Sequence, residues 1–110
     1  MPTVRIDLTP PADPPPGPVT VYARVEDTSQ ADAPARTVAE RVLRDVRLDR
    51  PQRLEIDVPA PDPRARYGVR VHVDTSGSGR VGPGDLVTTR SYPVLTQGGR
   101  DEVVVEVSPI

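Results

Sequence analysis

The stretch Tyr67-Gly68-Val69-Arg70-Val71-His72-Val73 decides the fold of this chain, because apolar residues alternate in it with polar or small ones. A period of two places successive side chains on opposite faces of a β-strand. The tyrosine and the three valines are predicted to face a core, while Arg70 and His72 face solvent or a partner. A Pro-rich segment precedes this strand and a Gly/Ser-rich segment follows it. We therefore predict a central strand with Val71 almost completely buried.

The same alternation recurs on both sides of that strand. It predicts short strands within residues 1–8, 19–27, 53–58, 86–90, 92–95 and 102–107, and a turn at 97–100. Residues 37–48 are ambiguous, because Val38, Val42 and Val46 lie four apart, which favours a helix when the segment is taken alone. Repeated short strands with turns between them indicate an all-β fold, a small antiparallel β-sandwich of about seven to eight strands.

The prolines divide the chain into two parts. Six of the nine residues in 10–18 are proline, which predicts a stiff polyproline II spacer between two edge strands; a ligand for an SH3-like groove is the alternative. We predict a single domain overall, with a short N-terminal strand and Pro-rich spacer in 1–18 and the β-sandwich in 19–110.

The composition excludes several classes of protein. The chain has 110 residues, no Cys and one His, so it has no disulfide and no thiolate metal site. Its 14 basic residues, all Arg, stand against 16 acidic ones, and the net charge of −2 argues against nucleic-acid binding. The sequence contains no apolar run of about 20 residues, so no membrane-spanning helix is predicted. No N-terminal signal is recognisable, so the chain as given is expected to be cytoplasmic, with an exported mature form as the alternative.

Three stretches carry a resemblance to a known family: 25–40 (VEDTSQADAPARTVAE), 66–74 (RYGVRVHVD) and 88–96 (TTRSYPVLT). In their order and spacing they resemble the YbaY/YscW-type family, a lipoprotein group that includes type III secretion lipoprotein chaperones. The resemblance covers roughly residues 19–107. It implies a small β-sandwich of the immunoglobulin or transthyretin kind, and it implies that residues 37–44 are extended and not helical. None of its motifs is catalytic.

The loop 74–85 contains a spacing typical of calcium sites. Oxygen-bearing side chains stand at its positions 1, 3, 5 and 12, and Gly at position 6, as in an EF-hand loop. The candidate metal ligands are Asp74, Ser76, Ser78, Asp85 and the backbone carbonyl of Arg80. The alternative is a long hairpin connection in which the glycines supply positive φ angles.

Other polar residues are weaker candidates for a site. His72 and Asp74 lie two apart on one strand face, as a base and its orienting carboxylate would, but no nucleophile motif follows them. Arg66, Arg70, Arg90 and Arg100 would form an anion- or protein-binding face only if their strands are neighbours. The sequence thus predicts a non-enzymatic module that binds another protein through a sheet face or edge. The alternative is a Ca²⁺-binding or Ca²⁺-stabilised domain, with no other cofactor expected.

Overall fold

All regular structure in the computed structural model is β-strand, over the residues that it describes, which are 2–30, 32–96, 98 and 100–110. No helix in these residues is long and apolar enough to cross a membrane. The all-β prediction is confirmed. The nine strands are β1 (Thr3–Leu8), β2 (Val19–Asp27), β3 (Arg36–Val46), β4 (Gln52–Asp57), β5 (Tyr67–Asp74), β6 (Leu86–Val87), β7 (Pro93–Val94), β8 (Glu102–Val105) and β9 (Ser108–Pro109).

The strands form two sheets. One has the order β4-β1-β8, and the other has the order β3-β2-β5-β6-β9, with β7 also paired to β5. The pairings between strands are antiparallel except that of β1 with β8, which is parallel. The central position predicted for the strand at 67–73 is confirmed, because β5 has β2 on one side and β6 and β7 on the other.

A single aliphatic core joins the two sheets. Every second residue of β1, β2 and β5 is buried, and Val71 is 2% exposed, as the alternation predicts. Valine suits this core because its branched Cβ packs well on a pleated sheet. The fully buried aliphatic residues include Val4, Ile6, Leu8, Val21, Val25, Val69, Val73, Val94 and Val105.

The Pro-rich segment 10–18 connects the two sheets. It leaves β1 in the middle of one sheet and enters β2 inside the other. The prediction that it separates two edge strands is therefore wrong. Prolines suit this position all the same, because a segment that crosses between sheets donates no ladder hydrogen bonds.

The segment with helical spacing is extended, as the family resemblance implies. It forms β3, the edge strand beside β2, and the register between them shifts near each end of the pair. Asp45 has a φ of 56°, a left-handed conformation that fits an irregularity at one of these places. Val38-Ala39 and Val42-Leu43 are two half-buried pairs that start four residues apart. Because adjacent residues of a strand lie on opposite faces, both faces of this edge strand are partly covered, and the resulting spacing of apolar residues resembles that of a helix.

The later strands are shorter than predicted. The strands predicted within 86–90 and 92–95 are only Leu86–Val87 and Pro93–Val94. Residues 88–92 still follow β5, through hydrogen bonds from Thr88 N to the Val71 carbonyl and from Val69 N to the Tyr92 carbonyl. Two residues of the turn predicted at 97–100, Gln97 and Gly99, lie outside the described residues.

A pair of matched Val→Asp substitutions tests the faces of the two sheets. Val71→Asp places an unpaired carboxylate in the core, and we expect it to lower the free energy of unfolding by about 3 kcal/mol or more. Val104→Asp is the control, because Val104 is 63% exposed on β8, and we expect a change within about 0.5 kcal/mol. Urea unfolding measures both, and equal losses would contradict the assignment.

Candidate functional site

The connection between β5 and β6, residues 75–85, folds back onto the outer face of the six-stranded sheet. At its near end, the carboxylate of Asp85 reaches the imidazole of His72. At its tip, Gly79 lies over Tyr22, since a Cβ on this glycine would be 3.9 Å from the Tyr22 hydroxyl. The segment is therefore a packed loop that covers one end of the sheet.

Asp74 organises the first half of this loop. Its buried carboxylate accepts hydrogen bonds from the backbone N–H groups of Ser76 (3.2 Å), Gly77 (2.9 Å) and Gly79 (2.8 Å). It also accepts a hydrogen bond from the Ser76 hydroxyl. The bond from Gly79 contributes most to a lowered pKa of Asp74, and the other bonds add to it against the effect of burial. Gly77 and Gly79 have φ angles of 78° and 77°, which L-residues seldom adopt.

Asp85 closes the second half. Its carboxylate is fully buried and accepts bonds from the Thr75 N–H and hydroxyl, the Gly82 N–H and His72 Nε2–H. Burial raises the pKa of Asp85, but the bonds from His72, Thr75 and Gly82 outweigh it, and the pKa lies below its usual value. Both loop carboxylates are therefore charged at neutral pH and anchor the loop to the sheet.

His72 is covered, and the prediction that it is exposed is wrong. Its side chain is only 12% exposed, its Nε2 lies 2.8 Å from Asp85 Oδ2, and its ring stacks on Tyr22 with centroids 5.6 Å apart. The strand face was assigned correctly, but the returning loop covers it. The carboxylate that His72 contacts is Asp85, thirteen residues along the chain, and not Asp74 as the spacing suggested.

The five candidate calcium ligands do not converge as an EF-hand loop requires. Asp74 and Asp85 lie close together with His72, their ligand atoms all within 4.8 Å of one another. The Ser78 hydroxyl instead donates to the Arg80 carbonyl at the exposed tip, and the Ser76 hydroxyl donates to Asp74. A cation would have to displace N–H and O–H groups from both carboxylates. Calcium binding stays a prediction, and this geometry does not favour it.

A row of arginines crosses the same outer face beyond the loop. Arg24 on β2 is paired in register with Arg70 on β5. Arg90 lies in the segment that follows the other side of β5, between Thr88 and Tyr92, and lines the same pocket as Arg70. Arg66 lies in an adjoining pocket, whereas Arg100 forms a bridge with Val94 elsewhere. Arg70 and Arg90 are among the arginines whose convergence the sequence left open, and strand order places Arg24 beside Arg70.

An open cleft of about 350 Å³ lies beside this row. Its described lining includes Arg70 and Arg90, the hydroxyl-bearing Thr28, Thr89 and Ser91, and the acidic Glu26. The cleft therefore combines guanidinium groups with neutral hydroxyl groups, on the part of the face that the loop 75–85 does not cover.

The comparison with protein families agrees with the fold and with the resemblance drawn from the sequence. The model of the YscW family, described as a type III secretion system lipoprotein chaperone, matches residues 7–107. The chain belongs to the YscW family. The members of this family are described as secretion-system lipoprotein chaperones, which implies that this chain binds a protein.

A solved structure has the same fold. The structure of an alternative pilotin from the type II secretion system of Vibrio cholerae superposes with a TM-score of 0.75 at 20% sequence identity. The match covers 98% of this chain and 96% of the pilotin chain, so the sandwich is the same throughout. No curated protein matches the sequence significantly.

The anchoring role of His72 is open to direct measurement. His72→Ala removes its hydrogen bond to Asp85 and its contact with Tyr22, and we expect a loss of about 1–2 kcal/mol in the free energy of unfolding. Arg70→Ala, on the same face of the same strand but exposed, is the control, with an expected change below about 0.5 kcal/mol. A His72→Ala loss no larger than that of the control would show that the contact contributes nothing.

The calcium hypothesis is tested by thermal melting with excess Ca²⁺ and with a chelator. Because the carboxylates of Asp74 and Asp85 already accept protein donors, we expect the two melting temperatures to agree. If the chain bound Ca²⁺, a free Ca²⁺ concentration of 100 times the Kd would add about 2.7 kcal/mol to the free energy of unfolding. A rise of several degrees with Ca²⁺, abolished by Asp85→Asn, would contradict this expectation.

Proposed function

We propose that this chain is a non-enzymatic chaperone module that holds a protein of a secretion system against the outer face of its six-stranded sheet. The family match over residues 7–107 carries the proposal. The fold that the chain has in common with a pilotin of a type II secretion system supports it. The surfaces of the sandwich then favour a face over an edge as the binding surface.

The long edge of the six-stranded sheet is poorly suited to pairing with another strand. The register of β3 is broken near both ends. Arg41, whose register partner Ala23 is buried, reaches over to the other sheet, where its guanidinium donates to the Glu55 carbonyl at 2.9 Å. Bulges and inward-pointing charges are features by which sheet edges avoid edge-to-edge association. A flat, complete hydrogen-bonding edge is therefore not available along β3.

Two of the other edges offer little more. β4 is an edge of the smaller sheet, and the hydrogen bond from Arg41 already uses its Glu55 carbonyl. Prolines at positions 51 and 59 flank this strand. The two-residue strand β9 contains Pro109. Short strands and prolines limit pairing at an edge. The outer face of the six-stranded sheet, with Tyr22, Val42 and the arginine row, is therefore the binding surface that we propose.

The one pair that resembles catalytic machinery is used for structure. His72 and Asp85 have the geometry of a base and its orienting carboxylate, but the same carboxylate also accepts three bonds from Thr75 and Gly82. In the described part of the chain, no hydroxyl group bonds to the imidazole. The Thr75 hydroxyl donates to Asp85 and not to His72. A nucleophile bonded to the base is what such a dyad needs.

Affinity capture from the source organism, with native crosslinking, tests the binding face. We expect the chain to recover a secretion-system protein, and we expect Val42→Asp to abolish the capture. Val42 is half-buried on the outer face opposite Tyr22, so a carboxylate there disrupts that surface. The matched control Val104→Asp, on the other sheet, is expected to bind normally, and thermal melting confirms that both variants are folded.

Two outcomes would overturn the proposal. One is the absence of any partner under native conditions together with turnover of a substrate. The other is loss of capture with Val104→Asp but not with Val42→Asp, which would assign binding to the three-stranded sheet.

A further inference from the structure

We propose that the cleft at Arg70 and Arg90 binds an acidic, extended segment of the protein partner. The inference rests on the proposed function and adds the chemistry of recognition. Its occupant is a stretch of chain carrying Asp or Glu side chains, which the guanidinium groups hold as bidentate ion pairs.

The strand register places three charges in a line across the sheet, and Arg90 lies close to the third. Glu40 on β3 pairs with Arg24 on β2, and Arg24 pairs with Arg70 on β5. Arg90 follows on the far side of β5, where hydrogen bonds at Val69 and Val71 hold the segment 88–92 alongside. Paired residues on one face have Cβ atoms about 4.5–5.5 Å apart, so Arg24 interacts with both Glu40 and Arg70. Arg90 lines the same cleft as Arg70.

Only one end of the row is neutralised. Arg24 lies between Glu40 and Glu26, and its guanidinium is 3.7 Å from the Glu26 carboxylate. Arg70 and Arg90 form no ion pair and no side-chain hydrogen bond with the described part of the chain, and both are exposed. In a chain with more acidic than basic residues, two such neighbouring arginines are a local excess of positive charge.

The arrangement is unfavourable for the free protein. Like charges directly opposite each other on adjacent strands destabilise a sheet, and Arg24 and Arg70 are such a pair. A local arrangement that opposes stability is most often found at a functional site. An incoming carboxylate relieves the repulsion and gains two charge-assisted hydrogen bonds from each fork.

The shape of the cleft suits a peptide more than a small anion. It is open, about 350 Å³, and offers the hydroxyl groups of Thr28, Thr89 and Ser91 beside the arginines. A second pocket of about 440 Å³, which contains Arg66, adjoins it through Thr28 and Ser91. The two adjoining pockets together present Arg66, Arg70 and Arg90. Glu40, exposed on the same face of the sheet beyond Arg24, disfavours an anionic bilayer, which would meet it across a flat surface.

Fluorescence anisotropy with a labelled peptide of alternating Glu and Ser tests the inference on the intact chain. We expect saturable binding, about tenfold weaker with Arg70→Glu or Arg90→Glu, and strongly reduced when NaCl rises from about 50 to about 300 mM. Arg47→Glu is the matched control, because this exposed arginine follows β3 at the opposite end of the sheet, and we expect no change in affinity.

A second measurement needs no ligand. Arg70→Gln relieves the repulsion with Arg24, so we expect its melting temperature to equal or exceed that of the wild type, while its affinity for the acidic peptide falls. A lowered melting temperature would mean that Arg70 serves the fold and would overturn the inference. Retained affinity in this folded variant would do the same.

The remaining outcomes separate the inference from the proposed function. Equal binding of a Gln/Ser peptide, or binding to phosphatidylglycerol vesicles but not to the acidic peptide, would overturn the inference. If Arg70→Glu and Arg90→Glu still capture the secretion-system protein at wild-type levels, the module binds its partner by other residues. The proposed function would then stand and the acidic-segment inference would fail.

Discussion

The burial of alternate residues along β5 is the constraint on which the rest of the structure depends. Val69, Val71 and Val73 all lie within 2% of full burial, so a slip of one residue would bring Arg70 and His72 into an aliphatic core. That cost holds the register with β2, and the register determines which residues meet on the outer face. The stacking of His72 on Tyr22 and the pairing of Arg70 with Arg24 both follow from it.

The loop 75–85 is held by two negative charges and not by a packed core of its own. Asp74 accepts N–H groups from its first half and Asp85 accepts donors from its second half and from β5. Charge-assisted bonds of this kind are stronger than those between neutral groups, and they suit a loop rich in Gly and Ser that has little apolar surface to bury. The same bonds explain why a spacing typical of a calcium loop occurs without the geometry of one. The carboxylates organise the backbone of the loop directly.

The outer face of the large sheet is thereby divided into two parts. Near the loop it is covered, because Asp85 and Tyr22 enclose His72. Towards the other end of β5 it is open, and its arginines are only partly neutralised. A rigid sheet that presents unpaired charges offers a pre-organised surface, which lowers the entropy lost when a flexible segment binds. This division is consistent with a family of secretion-system lipoprotein chaperones, which implies the binding of a protein.

The sequence by itself determined the local features of this protein. Because side-chain alternation has a period of two, it predicted the strands at 19–27 and 67–73 and their buried faces. The match of residue order to a family predicted that residues 37–44 are extended, against their own periodicity. Local pattern cannot show which strands are neighbours. Three features depend on contacts between residues that are distant in the sequence: the covering of His72 by Asp85, the position of Arg24 beside Arg70, and the interior positions of β1 and β2. Only the tertiary structure decided these, because they depend on strand order and on the path of a loop, neither of which has a signature in local sequence.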